Sequence, residues 1–224
     1  MPGVRPTTIT SMTQPPFYTN SQLSVAYDYV AVVDGLSLNE RQNWGISAAL
    51  TAHLGNEKID CRLAQCDNSE GLAGALNVFA SDAQLGKRFC MHFVCHGNQH
   101  GIQIGPATQH SSFVKWNELY THFVAINGAM NGALLINMTT CKGLHAAKVV
   151  QLNGAPLPFF GLIGALRDLP IDDALAINTL FYEKQLSGMP IQQIVPSINQ
   201  ERGEEILYCV SGEVYQKLMS LATP

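Results

Sequence analysis

Two apolar segments of this sequence each lead into a side chain that can do chemistry and then into glycine. The first, Phe89 to Val94, is followed by Cys95-His96-Gly97. The second, Ala133 to Met138, leads through two threonines to Cys141-Lys142-Gly143. An imidazole can move protons near neutral pH, and a thiolate is a strong nucleophile. These residue types therefore indicate a Cys–His hydrolase site.

Both apolar segments are typical of buried strands. In open α/β sheets the carboxyl ends of the strands form the edge where ligands bind. We therefore predict that Cys141 is the nucleophile and that His96 protonates the leaving amine. Backbone N–H groups of Gly97 and Cys141 are the predicted donors to the oxyanion.

The segments around these two residues alternate between strand and helix patterns. Strands are expected at 26–33, 59–66, 89–95, 133–141, 159–166 and 206–210, and helices at 37–54, 70–85, 112–126, 144–152 and 171–186. Ser37 and Glu40 have the spacing of a capping box that opens the first helix. Such alternation predicts an α/β fold with a mostly parallel sheet of about six strands and helices on both faces.

Composition limits the class of protein. The chain has 224 residues, 46% of them hydrophobic and 13% charged, which fits one domain with a buried sheet. A net charge of −4 without a basic stripe argues against nucleic-acid binding, and no apolar stretch approaches a membrane span. Residues 1–22 are rich in Pro, Thr, Ser and Gln, so we expect an irregular arm followed by a single domain, 23–224.

The six cysteines and the absence of a signal-like N-terminal pattern favour a reducing, cytoplasmic location. Five of them are expected to act as small core hydrophobes: Cys61, Cys66, Cys90, Cys95 and Cys209. A zinc site is disfavoured, because strand alternation points Cys90, His92 and His96 away from Cys95. No phosphate-binding or dinucleotide loop is present, so neither a metal nor a cofactor is expected.

The His-Gly block and the Cys141 block together resemble the caspase-like clan of cysteine peptidases, and most closely its bacterial CHAT type. The segment from Phe159 to Asn199 resembles the CHAT region that follows the cysteine, and the resemblance extends from about Val25 to Asn199. The sequence departs from true caspases at Thr139, Thr140 and Lys142, since caspases carry Gln-Ala before the cysteine. This departure argues against a strict preference for Asp in the substrate.

The resemblance implies a three-layer α/β/α sandwich and cleavage of a protein substrate, in bacterial antiviral defence or programmed cell death. It also implies control by a separate regulatory protein. Substrate-binding positions carried over from the clan are Asp34, Asp168 and Arg167, which follow predicted strands. The aspartates would attract a basic side chain and the arginine an acidic one, although both aspartates also suit simple turn capping. A basic or a small apolar substrate residue is expected in preference to Asp. Residues 142–158 form a short link to the next strand, so an unprocessed single chain is expected.

Two alternatives remain open at the level of sequence. A CHAT-like module that binds partners without cutting them would share the fold, and the presence of both His96 and Cys141 disfavours it. An α/β hydrolase acting on small molecules would share the two residues as well as the fold.

Overall fold

A computed structural model of the protein describes residues 26–107, 112–151 and 155–216. The predicted N-terminal arm, 1–22, lies outside these residues. The strands are β1 (Tyr29–Asp34), β2 (Cys61–Gln65), β3 (Phe89–Val94), β4 (His96–Gly97), β5 (Gly101–Gln103), β6 (Phe113–Lys115), β7 (Leu135–Met138), β8 (Gly161–Ala165) and β9 (Leu207–Ser211). The helices are α1 (Leu38–Trp44), α2 (Ile46–Asn56), α3 (Ser69–Gln84), α4 (Tyr120–Ala129), α5 (Ile171–Leu186) and α6 (Ile191–Arg202), with 3₁₀ helices at Trp116–Leu119 and Gly143–Val149.

Six of these strands form a central sheet in the order β2-β1-β3-β7-β8-β9. Its strands run parallel except β9, which pairs antiparallel with β8. The helices lie on both faces of the sheet, and the prediction of a three-layer α/β/α sandwich with about six strands is confirmed. A second, smaller sheet consists of β4, β5 and β6 in antiparallel order.

Alternate residues of the central strands face opposite layers, as the pleat requires. In β1, Ala31 and Val33 pack in the core that contains α3 and α4. Val30 and Val32 pack in the other core, which contains α2, α5 and α6. Both faces of the strand are therefore covered, which explains why the strands read as continuous apolar runs rather than as alternating patterns.

The first predicted helix is divided in the structure. Gly45 takes a left-handed conformation, with φ +59°, and closes α1 with a hydrogen bond from its N–H to the carbonyl of Arg41. The chain then turns directly into α2. The capping box predicted at Ser37 and Glu40 is confirmed.

The helix expected from 112 to 126 is wrong in its first part. Residues 113 to 115 form strand β6, paired with β5, and only Val114 of the three is buried. Phe113 is an exposed hydrophobic residue. The local exposed–buried–exposed alternation has the period of a strand, and the pairing with β5 overrides the helical spacing of the aromatic residues that follow.

No helix in the described part of the chain is long and apolar enough to cross a membrane.

Strand β3 contains a fully buried histidine, His92. His92 is fully buried, its Nδ1 lies 3.0 Å from the hydroxyl of Tyr182 on α5, and its Nε2 has no hydrogen-bond partner within the described residues. Burial lowers the pKa of His92 to about 3. The ring is therefore neutral in the folded protein over the whole range in which an unfolded histidine takes up a proton.

His92 makes the protein sensitive to acid. Between pH 6.5 and 3 the unfolded chain binds a proton at this position and the folded chain does not, so stability falls as pH decreases. Two pH units below 6.5 correspond to roughly 3 kcal/mol. We expect urea unfolding at pH 7.5 and 4.5 to show a smaller acid-induced loss of stability in His92→Gln than in the wild type. His100→Gln, at an exposed position, is the control. Equal losses in the wild type and His92→Gln would contradict this prediction.

Candidate active site

The structure brings the two predicted reactive residues to one cavity. β3 and β7 are adjacent parallel strands, with His92 opposite Asn137 in the register. His96 follows β3 and Cys141 follows β7, so both lie beyond the carboxyl ends of neighbouring strands. Their side chains line the same cavity of about 120 Å³, which we call the strand-end cavity.

His96 is held from the side by Glu40. The imidazole Nε2 lies 2.8 Å from Oε1 of Glu40, and the two side chains are 44% and 24% exposed. The ring also meets Trp44 edge to face, with 5.4 Å between ring centroids. These contacts from α1 fix the plane of the imidazole. With Nε2 engaged by the carboxylate, Nδ1 is the nitrogen left to exchange a proton.

Glu40 joins the helix cap to the imidazole. Its Oε2 accepts hydrogen bonds from the Ser37 backbone N–H at 2.8 Å and from the Ser37 hydroxyl at 2.6 Å, while Oε1 faces His96. Burial acts to raise the pKa of Glu40, but the hydrogen bonds with Ser37 and His96 outweigh it and lower the pKa. Glu40 is therefore an ionised carboxylate that holds the imidazole of His96 in place.

Cys141 sits in a tight turn braced by the loop that follows β8. The backbone N–H of Leu169 points to its sulfur at 3.3 Å, and the sulfur lies 3.7 Å from the carbonyl oxygen of the same residue. Lys142 takes a left-handed conformation, with φ +54°, and its N–H donates to the carbonyl of Arg167 at 2.9 Å. These contacts with Leu169 and Arg167 fix the position of the Cys141 turn against the loop after β8.

Gly97 allows the two reactive segments to touch. A Cβ at this position would lie 2.5 Å from the carbonyl oxygen of Cys141 and 2.7 Å from the hydroxyl oxygen of Thr140. Any side chain here would push the two turns apart, which gives the His-Gly pair a physical reason. The role of the Gly97 and Cys141 N–H groups in an oxyanion hole stays a prediction.

The two threonines before Cys141 differ in their contacts. The Thr139 hydroxyl donates to Oδ1 of Asn178 on α5, at 2.5 Å, and so ties the end of β7 to that helix. The Thr140 hydroxyl is buried in the lining of the strand-end cavity and has no hydrogen-bond partner within the described residues. A buried hydroxyl of this kind gains a hydrogen bond if a polar group of a ligand reaches it.

Asp34 lies away from solvent. Its carboxylate is fully buried, with Nε of Arg41 at 3.3 Å, the Leu36 N–H at 3.0 Å and the Ser47 hydroxyl at 2.5 Å. Arg41 also reaches Asp67 at 2.8 Å. The carboxylate predicted to bind substrate therefore braces the turn after β1 and the start of α2, and its charge is paired inside the protein.

Asp168 and Arg167 lie on the loop after β8, as predicted, but neither lines the strand-end cavity. Asp168 is exposed and lies 3.6 Å from the ammonium group of Lys142. Arg167 pairs with Glu204 at 2.8 Å on the surface. Their assignment to substrate binding stays a prediction.

The other five cysteines have surroundings that suppress reactivity. Cys66, Cys90 and Cys95 are buried, and Cys61 and Cys209 are partly buried. Burial raises the pKa of each of the five, to about 11 in Cys61 and Cys66 and about 12 in Cys90 and Cys209. In the described residues no three His, Cys, Asp or Glu side chains converge in a way that would hold a metal ion.

A larger groove, of about 660 Å³, runs along β9 and α6. Neither His96 nor Cys141 lines it. Its lining includes Cys209 and His145, but burial raises the pKa of Cys209 to about 12. We therefore place the candidate active site at the smaller strand-end cavity, which His96 and Cys141 line.

The sequence pattern identifies Glu40 only as a helix-capping residue. Its contact with His96 is visible only in the structure. The feature of the sequence that could have indicated this contact is the position of Glu40 on the helix directly after β1, since that helix begins at the same sheet edge as His96.

In comparisons with known proteins, no family model and no curated protein matches this chain.

Proposed function

We propose that this protein is a cysteine endopeptidase, with Cys141 as the nucleophile and His96 as the proton carrier. The observation that supports the proposal best is the shared cavity of these two side chains at the ends of adjacent strands. Glu40 adds an orienting carboxylate behind the imidazole. A nucleophile, a base and a group that orients the base are the three parts that activated nucleophiles require.

The proposed reaction runs in two halves. The Cys141 thiolate attacks the carbonyl carbon of a peptide bond, and the oxyanion forms near the N–H groups of Gly97 and Cys141. The intermediate collapses as His96 gives its proton to the leaving amine, which departs and leaves a thioester. Water then gives a proton to His96 as its oxygen attacks the thioester carbonyl, and the Cys141 thiolate leaves. The new carboxylic acid loses its proton to solvent, and the thiolate–imidazolium pair is restored.

The resemblance to the caspase-like clan extends the proposal to a protein substrate, an unprocessed chain and a place in bacterial defence or cell death. It also supports control by a separate regulatory protein. Comparing cleavage by the purified chain with cleavage in lysate that contains its neighbours tests that control. Full activity of the chain alone would count against it.

The proposed function is tested by exposing a mixed peptide library to the purified chain and identifying new termini by mass spectrometry. We expect the wild type to cut at internal peptide bonds and His96→Ala to cut at least about 100-fold more slowly, since positioned acid–base groups contribute that much. His100→Ala, an exposed histidine four residues further along, is the matched control and should cut normally. Equal cleavage by wild type and His96→Ala would contradict the proposal.

A further inference from the structure

The strand-end cavity has a composition that selects among substrates. Beside the two reactive residues its walls are mainly hydrocarbon. One wall comes from the region after β1 and the other from the region after β8, and the main contributors are Leu36, Trp44, Ile46, Leu169, Ile171 and Ala174. None of the described residues that line it is Asp, Glu, Lys or Arg.

The charged groups nearby are already paired. Asp34 is neutralised by Arg41, Glu40 is engaged by Ser37 and His96, and Lys142 faces Asp168. A charged substrate side chain in the cavity would lose its hydration and meet no opposite charge. Burying an unpaired charge is strongly unfavourable, whereas burying an apolar group of the same size is favourable.

The volume of the cavity limits the side chain further. An apolar cavity of about 150 Å³ holds one benzene-sized molecule. The strand-end cavity, at about 120 Å³, is slightly smaller. A leucine or similar aliphatic group fits such a space, and an indole does not.

We infer that the strand-end cavity binds an uncharged aliphatic side chain of the substrate, of about the size of leucine, next to the bond that is cut. The inference rests on the proposed function, because it concerns the same cavity and the same reaction. The chain therefore cleaves after aliphatic residues, in place of the basic or acidic residues that Asp34, Asp168 and Arg167 would attract.

The test compares fluorogenic peptides that differ only in the residue before the scissile bond: Leu, Ala, Phe, Asp or Arg. We expect kcat/KM for the Leu peptide to exceed the Asp and Arg values by at least about 100-fold, as apolar pockets discriminate on this scale even between neutral side chains. Fastest cleavage of the Asp or Arg peptide would overturn the inference and leave the peptidase proposal standing. If wild type cleaves no peptide and Cys141 reacts no faster with iodoacetamide than the other thiols, both fall.

Two variants locate the selectivity in this cavity. Ala174→Leu fills it, and should reduce kcat/KM for the Leu peptide at least about tenfold while sparing the Ala peptide. Ala176→Leu, on the same helix but outside the cavity lining, is the matched control. Ile46→Ala enlarges the cavity and should move the preference from Leu toward Phe, and it decides the matter if Ala174→Leu does not fold. An unchanged preference in the folded variants would overturn the inference.

Discussion

We expect Cys141→Ala to lose peptide cleavage by at least about 10⁴-fold, because the other thiol that lines the strand-end cavity, Cys95, is buried and has its pKa raised by burial. The same substitution leaves the fold intact. Cys141 is half-buried, and its main contact is a weak hydrogen bond from the Leu169 N–H. Removing a single sulfur there changes the free energy of unfolding by about 0.5 kcal/mol. Peptide cleavage and thermal unfolding of the same preparation measure both effects.

Cys61→Ala is the control for this experiment. Cys61 is also partly buried, but it lies in β2 and not in the cavity lining. Its substitution should leave cleavage unchanged. Residual cleavage in Cys141→Ala at more than about one hundredth of the wild-type rate would exclude Cys141 as the nucleophile.

The second large effect is the loss of kcat that we expect in Glu40→Gln. The amide keeps the shape of the side chain and its hydrogen bond from the Ser37 N–H, but it removes the charge beside His96. We expect kcat to fall about 100-fold with KM little changed, because a misplaced or less strongly polarised imidazole affects the chemical step more than substrate binding.

Glu70→Gln separates positioning from helix capping. Glu70 is the acidic residue in the first turn of α3 and is exposed. Its loss removes a comparable favourable interaction with a helix N-terminus, worth about 0.5 kcal/mol, without touching the cavity. A fall in kcat of the same size in both variants, or a change in KM alone in Glu40→Gln, would show that Glu40 does not position His96.

The main features of the central sheet follow from local sequence patterns. The runs that end at Val94 and Met138 are mostly apolar, short enough for strands and followed by Gly97 and Gly143, so their strands are recognisable without tertiary information. Helix α5 was predicted with the observed ends, Ile171 and Leu186, because an acidic first turn and a following glycine mark its limits.

The errors arose where distant contacts decide the structure. The strand at Phe113 exists because β5 offers a partner edge, which the local aromatic spacing does not reveal. The partners of Asp34, Arg41 on α1 and Ser47 on α2, are likewise not indicated by the sequence pattern, and its role in substrate binding stays a prediction. Glu40 and His96 are 56 positions apart and meet only when β1 and β3 pair.

The claim that Cys141 and His96 act together is tested most directly by the rate at which each cysteine reacts with iodoacetamide, mapped by mass spectrometry across pH 5 to 9. Cys61 and Cys209, partly buried and with pKa values raised by burial, provide internal references. The proposal predicts that Cys141 reacts first near neutral pH and that His96→Ala slows Cys141 alone. Equal rates at Cys141 in the wild type and His96→Ala would contradict it.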